Sequence, residues 1–381
     1  MKIHKAKTKE AILMRRGFRN KKAVAWIVML TFLFTCIMPS NIMTGSNIAE
    51  AASPVDAPNV TIKLFDYDNA VNTDSNRIPN YNFFDYSGGS VDGSGVTRNT
   101  YNPVMQPTLG NGYPVTQKGS MEYLFNDTYL EGTMTDGGGL FQQDGNGNYY
   151  YDSAQNAAYF NGSDFTLYDW IVYPSYVNSR NTEIQRSNFL PFDEVNSTTA
   201  TQQGTINGIP AMQLKNDVNL WFGMMVEFEF LMPKDGMVDG EPMVFDFLGD
   251  DDVFVYIDDV LVLDIGGTHE AQSGTINFAT GAADSPKQPN TNLKELFQAA
   301  GKDVSGFDGN TFADYTVHTL KFFYLERGGT YSYCKLQFNM PTLPEKSLTV
   351  EKQLTVENDD VKDFLEGALD YTFRVLKNDG K

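Results

Sequence analysis

Cysteine and histidine are scarce in this sequence, whose 381 residues include two Cys and three His. Structural zinc sites and disulfide-rich scaffolds need several such residues, so both classes are excluded. Basic residues are also few, with 29 Lys and Arg against 48 Asp and Glu and a net charge of −19. Because binding to phosphate backbones depends on Lys and Arg, we expect no nucleic-acid partner.

Apolar and aromatic residues, by contrast, are plentiful. Hydrophobic residues make up 41% of the chain and aromatic residues 13%. This content predicts sizeable packed cores rather than a disordered chain. The length favours two or three domains.

The first 51 residues show the pattern of a secretory signal peptide. A basic segment precedes the apolar run Ala23–Met38, and Ala49 and Ala51 form a small-residue cleavage site. The alternative is an N-terminal membrane anchor, but the run is shorter than the ~20 residues that span a bilayer. We therefore predict an exported protein, secreted or on the cell surface, with no membrane insertion after cleavage. The long basic segment is typical of a Gram-positive-type precursor.

The rest of the chain has the alternation expected of β-strands. Val226, Phe228 and Phe230 would share one face of a strand, and turn clusters rich in Gly, Asn and Asp separate such segments. This pattern predicts an all-β sandwich or jelly roll with a few short helices. The segment TNLKELFQAAG predicts one helix, with Thr291 or Asn292 as its cap and Gly301 at its end.

A domain boundary is predicted near the two prolines of FNMPTLPEKSLTVEK, Pro341 and Pro344. We assign residues 52–342 to the main domain and residues 343–381 to a linker and the truncated start of a second β domain. Cys334, in the alternating segment YSYCKLQFNM, is interpreted as a buried core thiol.

The segment FDFLGDDDVFVYIDDVLVLDIGGTHE, residues 245–270, is the most informative. Two apolar runs joined by Asp258-Asp259 predict a tight hairpin, central in its sheet and buried on both faces. At its mouth, Asp250, Asp251 and Asp252 would repel one another. Backbone amides or a Ca²⁺ ion could offset this repulsion, and a solvated acidic turn would need neither.

This segment resembles the signature of the fibro-slime domain. Further matches to that family are SGTINFATG (273–281), YTVHTLKFFYLERGG (315–329), VTIKLFDYD (60–68) and YYYDSAQNAAYF (149–160). The resemblance covers roughly residues 58–342. It departs from the family pattern at Asp259, where Gly is usual.

The fibro-slime domain is similar to the protective-antigen-type β-sandwich superfamily, which includes the sugar-binding heads of fungal flocculins. In those heads two adjacent Asp residues, joined by a cis peptide bond, hold a Ca²⁺ ion that contacts sugar hydroxyls. The resemblance implies that Asp250 and Asp251 form this pair, with Asp252 as an alternative ligand. The flocculins' second calcium loop has no identified counterpart here.

The segment after the linker resembles the start of Gram-positive pilin-like stalk domains, some of which form Lys–Asn isopeptide bonds. The resemblance makes Lys352 a candidate isopeptide lysine.

Three weaker features have ordinary interpretations. DGNGNYYYDSAQ imitates an EF-hand loop, but Tyr149 and Gln155 replace the required Gly and Glu, so a hairpin turn at Asn146-Gly147 is predicted. His318 is interpreted as a satisfied core histidine. His269 would brace the hairpin end or serve as a ligand.

Three functions follow as hypotheses. The first is an adhesin-like surface protein that binds extracellular carbohydrate, or a surface protein, through an acidic loop that could hold Ca²⁺. The second is a structural pilus or matrix component whose acidic hairpin is architectural. The third, a glycan hydrolase, lacks a motif that isolates a catalytic pair, so we expect no enzymatic activity.

Overall fold

The computed structural model describes residues 53–67, 104–169, 187–194, 218–267, 269–328 and 331–343, together with five isolated two-residue strands. These residues belong to a compact unit that begins at Glu50. The predicted leader, the segment after Leu343 and Lys352 lie outside the described residues, so their interpretations remain predictions. Across the part of the chain that is described, no helix is both long and apolar enough to span a bilayer.

Two antiparallel sheets form the domain, which confirms the predicted all-β sandwich. The six-stranded first sheet has the order β19-β18-β25-β14-β1-β4. Its strands are β1 (Thr61–Asp66), β4 (Leu130–Met134), β14 (Trp221–Leu231), β18 (Asp252–Ile257), β19 (Val260–Asp264) and β25 (Val317–Arg327).

The seven-stranded second sheet has the order β22-β21-β20-β17-β26-β6-β5. Its strands are β5 (Gln142–Gln143), β6 (Tyr149–Asp152), β17 (Val244–Gly249), β20 (Gln272–Asn277), β21 (Ala282–Ser285), β22 (Gln288–Asn292) and β26 (Cys334–Phe338).

Shorter elements complete the secondary structure. The remaining strands are β2 (Val115–Thr116), β3 (Gly119–Ser120), β7 (Asn156–Phe160), β8 (Phe165–Asp169), β9 (Tyr176–Val177), β10 (Glu183–Ile184), β11 (Thr205–Ile206), β12 (Ile209–Pro210), β13 (Met212–Gln213), β15 (Met237–Val238), β16 (Glu241–Pro242), β23 (Phe307–Asp308) and β24 (Thr311–Phe312). The helices are α1 (Glu122–Phe125), α2 (Leu293–Ala299) and two 3₁₀ turns, Asp136–Gly139 and Lys234–Gly236.

The main core lies between the two sheets. Val226, Phe228 and Phe230 of β14 are buried there, as their alternation predicts, whereas Glu227 and Glu229 are not buried. Phe338 of β26 reaches across from the second sheet and stacks on Phe228, with ring centroids 5.2 Å apart. Side chains from both sheets therefore interdigitate through aromatic contacts.

A second apolar cluster covers part of the outer face of the first sheet. It contains Phe323 and Leu325 of β25, which point away from the main core, and Leu124 and Phe125 of α1. Helix α1, which precedes β4, thus buries part of the first sheet's face that points away from the main core. This coverage explains why the second half of β25 carries apolar side chains on both of its faces.

The Asp258-Asp259 hairpin is confirmed, but its predicted central position is wrong. Both Asp residues have positive φ, 48° and 64°, as a two-residue turn requires. Strands β18 and β19 are fully buried, yet β19 lies at the edge of its sheet. The backbone of Thr108 pairs with that of Val260 and covers this edge. The apolar side chains of β19 are therefore buried beneath a loop and not beside a further strand.

The predicted helix is also confirmed. The Asn292 side chain accepts a hydrogen bond from the backbone N–H of Glu295, 2.9 Å away, and thereby caps α2. Gly301 follows the helix with φ of 71°, a conformation that suits glycine after a helix end. The hairpin predicted at Asn146-Gly147 is present as β5–β6, and Cys334 is fully buried as expected.

Replacing Phe338 by Ala is expected to lower the free energy of unfolding by about 3–5 kcal/mol, because it leaves a cavity between the sheets. Urea titration followed by tryptophan fluorescence would measure the loss. Gln337→Ala, one residue away on the same strand and only half-buried, is the matched control. Equal losses in the two variants would contradict the assignment of Phe338 to the inter-sheet core.

Candidate functional site

The three consecutive Asp residues lie where the chain crosses from one sheet to the other. β17 of the second sheet ends at Gly249, and β18 of the first sheet begins at Asp252. Asp250 and Asp251 form the connection, and Asp251 has a left-handed φ of 54°. The end of β25, with Glu326 and Arg327, lies alongside. We call Asp250, Asp251, Asp252, Glu326 and Arg327 the crossover cluster.

Asp252 forms a buried ion pair with Arg327. The Arg327 Nε and the Asp252 Oδ2 are 2.6 Å apart, and the side chains are 2% and 0% exposed. The other Asp252 oxygen accepts a hydrogen bond from the backbone N–H of Gly267 at 2.6 Å. One Asp252 oxygen is therefore hydrogen-bonded, whereas Oδ2 contacts Arg327 as an ion pair without a hydrogen bond. Arg327 supplies part of the positive charge that offsets the acidic residues.

Asp251 lies between Arg327 and Glu326. Its Oδ2 accepts a hydrogen bond from the backbone N–H of Arg327 at 2.9 Å. Burial raises the pKa of Asp251 to about 7; the Arg327 charge opposes this rise, and the charges of Asp252 and Asp250 add to it. This carboxyl group is thus partly protonated at neutral pH.

Glu326 is fully buried, and its charge is poorly compensated. Tyr324 donates its hydroxyl hydrogen to Oε2 over 3.2 Å, while Oε1 of the ionised group accepts no hydrogen bond. Burial, together with the charges of Asp251 and Asp250, raises the pKa of Glu326 well above its usual range. A hydrogen bond from protonated Glu326 to Asp251 acts in the same direction. Both carboxyl groups therefore favour the protonated form, and they titrate as a pair that can share a proton.

Asp250 is tied to the strand that follows β25. Its Oδ2 accepts from the backbone N–H of Tyr333 at 3.0 Å, and its own N–H donates to the Tyr333 carbonyl at 3.0 Å. Burial raises the pKa of Asp250, while the Tyr333 hydrogen bond and the charge of His269 oppose the rise. Asp250 thus holds the end of the sandwich together.

His269 braces the end of the hairpin, one of the two roles predicted for it. Its Nε2 lies 2.8 Å from the carbonyl oxygen of Ile265, and its Nδ1 lies 3.0 Å from that of Glu270. The His269 ring therefore contacts the backbone on both sides of residues 266–268, where the chain leaves β19.

The cluster fits a hard cation only in part. Asp251 and Glu326 offer carboxylate oxygens that Ca²⁺ would accept, whereas Asp252 is committed to Arg327 and Gly267. Within the described ranges, no three His, Cys, Asp or Glu side chains are grouped as around a metal ion, and every peptide bond is trans, including Asp250–Asp251. The cis bond implied by the resemblance is not present.

Sequence reasoning missed Glu326 and Arg327. Both stand in the quoted segment YTVHTLKFFYLERGG, at the end of a strand that is otherwise apolar. A charged pair that ends a buried strand indicates buried charge, and such charge needs a partner. That partner, Asp252, is 75 positions earlier and is adjacent only through the pairing of β18 with β25.

Comparison with known proteins gives relatives in one organism, Dictyostelium discoideum. Protein psiF is 30% identical over 203 residues, which is 52% of this chain and 25% of psiF. Proteins psiI and psiD are 57% and 64% identical over 37 and 34 residues. The chain thus spans about a quarter of the length of psiF. No family model matches the chain, and no solved structure matches it.

Replacing Asp252 by Asn is expected to lower the free energy of unfolding by about 3–5 kcal/mol, because it leaves the Arg327 charge buried and unpaired. Chemical denaturation at constant pH would measure this change. Asp308→Asn, at an exposed position of β23, is the matched control and should alter the stability by less than about 0.5 kcal/mol. If both variants kept wild-type stability, the ion pair would have no structural role.

The shared proton predicts a specific pH dependence. Because folding raises the pKa of Asp251 from near 4 to about 7, the folded state binds this proton more tightly than the unfolded state. This contribution to stability is complete below pH 4 and is lost as the pH rises through 7. Glu326→Gln removes one member of the pair and should reduce the slope of stability between pH 5 and 8. Urea unfolding at several pH values measures this slope, and an unchanged slope would contradict the shared proton.

Proposed function

We propose that this protein is an extracellular, adhesin-like binding protein whose β-sandwich takes a carbohydrate ligand at the crossover cluster. The observation that carries the proposal is the buried Oε1 of Glu326, which accepts no hydrogen bond when the group is ionised, beside the Asp251 carboxyl group. Burying a carboxylate oxygen without a donor is costly, and proteins retain such groups chiefly at functional sites.

A Ca²⁺ ion is the ligand that this chemistry favours first. Asp251 and Glu326 would hold the ion in place of the proton that they share, and backbone oxygens and water would supply further ligands. Bound there, Ca²⁺ would provide coordination positions for vicinal sugar hydroxyl groups. Asp250 would keep the crossover in place through its bonds to Tyr333.

The resemblance to the fibro-slime domain and to the flocculin heads supports the choice of carbohydrate. Aromatic rings and amide groups can bind sugars by stacking on apolar sugar faces and by hydrogen bonding to hydroxyl groups. The predicted signal peptide supports export, with a Gram-positive-type cell wall as the expected location. The partner would then be a glycan or a glycan-bearing surface protein.

The Asp252–Arg327 pair favours a second function. Arg327 and three backbone N–H groups already offset much of the acidic charge, so the cluster could serve only to join the two sheets. The protein would then be a structural pilus or matrix component without a small ligand. Neither function involves catalysis.

Thermal unfolding of the full chain with Ca²⁺ and with chelator distinguishes the two functions. Ligand at 100 times its dissociation constant should stabilise the folded state by about 2.7 kcal/mol, which calorimetry detects as a higher Tm. The Asp251→Asn variant should lose this shift, and the exposed control Asp308→Asn should keep it. A glycan array probed with Ca²⁺ and with chelator then tests for the sugar.

Each outcome has a definite meaning. A calcium shift lost in Asp251→Asn, together with chelator-sensitive glycan binding, supports the binding function. A calcium shift that Asp251→Asn retains places the ion elsewhere and contradicts the assigned ligands. Identical Tm values with Ca²⁺ and chelator, and no glycan bound, would leave the structural function as the better one.

A further inference from the structure

Asp246 lies at the centre of the outer face of the second sheet, the face that points away from the main core. Its neighbours in β17, Phe245 and Phe247, are buried between the sheets, so the alternation of a strand places Asp246 on the opposite side. β17 pairs with β26 and with β20, and this pairing sets Gln337 and Thr275 on either side of Asp246. The three side chains therefore share one face.

The row of side chains extends to a fourth strand. Tyr150 of β6 lies opposite Gln337, and both residues are half-buried. At the other end of the row, Thr275 is exposed. Because neighbouring strands lie about 4.8 Å apart, the row crosses the four strands over about 14 Å. It places a phenol ring, an amide, a carboxylate and a hydroxyl group along one line.

Asp246 is poorly solvated for an ionised carboxylate. It is half-buried beside Val244 and Leu248, the neighbouring residues of β17 on the same face. Burial raises the pKa of Asp246 and the charge of Lys335 opposes this rise, but no hydrogen bond from a described residue reaches the carboxylate. A partly desolvated carboxylate without donors is costly, and a hydroxyl group of a ligand would supply the missing hydrogen bond.

The charges on this face argue against an anionic ligand. Lys335 of β26 is half-buried and lies 3.7 Å from Oδ2 of Asp152, and its charge also acts on Asp246. The Lys335 ammonium group is thus shared by two carboxylates, and the whole chain carries a net charge of −19. Phosphate groups and acidic sugars would be repelled, so a neutral ligand fits this face best.

The backbone of these strands is not available to a ligand. β6, β26, β17 and β20 lie inside the sheet, and each is paired on both sides. A peptide that adds a strand needs an open sheet edge, so strand addition is excluded on this face. A glycan chain, by contrast, has hydroxyl groups for the polar row and apolar ring faces for Tyr150, Val244 and Leu248.

We propose that the outer face of the second sheet binds a neutral glycan chain across strands β6, β26, β17 and β20, without Ca²⁺. Asp246 accepts a hydrogen bond from a sugar hydroxyl group, Gln337 donates and accepts, and Tyr150 stacks on a sugar ring. The site lies on the sheet face, whereas the crossover cluster is buried at the end of the sandwich. The inference rests on the proposed function for the class of ligand and not for the place where it binds.

An array of neutral and sialylated glycans, probed with the full chain in EDTA, tests the proposal. The wild type is expected to bind neutral oligosaccharides long enough to cross the row and to bind sialylated ones less. Isothermal titration calorimetry then measures the affinity for the neutral glycan that binds best. Asp246→Ala should weaken this binding about tenfold, because hydrogen bonds to charged groups are stronger than those between neutral groups.

Two further variants separate a loss of binding from a loss of folding. Thr275→Arg changes an exposed residue and places a cation beside Asp246, where it occupies the carboxylate, so it should weaken binding to a similar extent. Asp308→Ala, at an exposed position of β23, is the matched control and should bind as the wild type does. Urea denaturation of each variant shows whether the fold is retained.

Binding in EDTA that both Asp246→Ala and Thr275→Arg retain would overturn the proposal, and so would the absence of glycan binding in EDTA. Binding that EDTA abolishes, and that Asp251→Asn also loses, would place the sugar at the crossover cluster alone. That result would support the proposed function and overturn the second site. A dimer in light scattering that Thr275→Arg dissociates, without any glycan binding, would assign the face to a second copy and overturn the proposal as well.

Discussion

The buried ion pair between Asp252 and Arg327 is the interaction on which the end of the sandwich depends. It joins the first residue of β18 to the last residue of β25, at the point where the chain passes from the second sheet to the first. Two charges removed from water in this way stabilise a fold only when each has a partner and further hydrogen bonds. Gly267 supplies one of these bonds, so the loop after β19 is fixed by the same pair.

The positions of the neighbouring carboxyl groups, Asp251 and Glu326, depend on that ion pair. Arg327 donates its backbone N–H to Asp251, and its preceding residue, Glu326, is buried against the same group. One guanidinium cannot neutralise four carboxyl groups, so Asp251 and Glu326 retain a proton or take up another cation. This remaining demand for positive charge is what makes the crossover a candidate site and not only a structural joint.

Strands β18 and β25 are held together by acid–base contacts at both ends. At one end Asp252 meets Arg327, and at the other end Asp258 meets His318. Between these contacts the pairing runs from Asp252 opposite Leu325 to Ile257 opposite Leu320, and every side chain of β18 is buried. A shift in the register of β18 against β25 would bury unpaired charges and would also misplace apolar side chains. The charged contacts at the two ends therefore specify the register, which the apolar residues between them do not specify alone.

The sequence by itself determined the elements whose cause is local. Alternation placed Val226, Phe228 and Phe230 in the core, Asn292 and Gly301 bounded α2, and Asp258-Asp259 predicted the hairpin. It also placed Asp250 and Asp251 at a common turn and required that something offset their charge. Only the tertiary structure decided what offsets it, because Arg327 and Glu326 reach the turn through strand pairing across some 75 residues of chain. For the same reason only the folded structure shows that Asp252 pairs with Arg327. The apolar run of β19 indicated that the strand is buried, but not that a loop, rather than another strand, covers it.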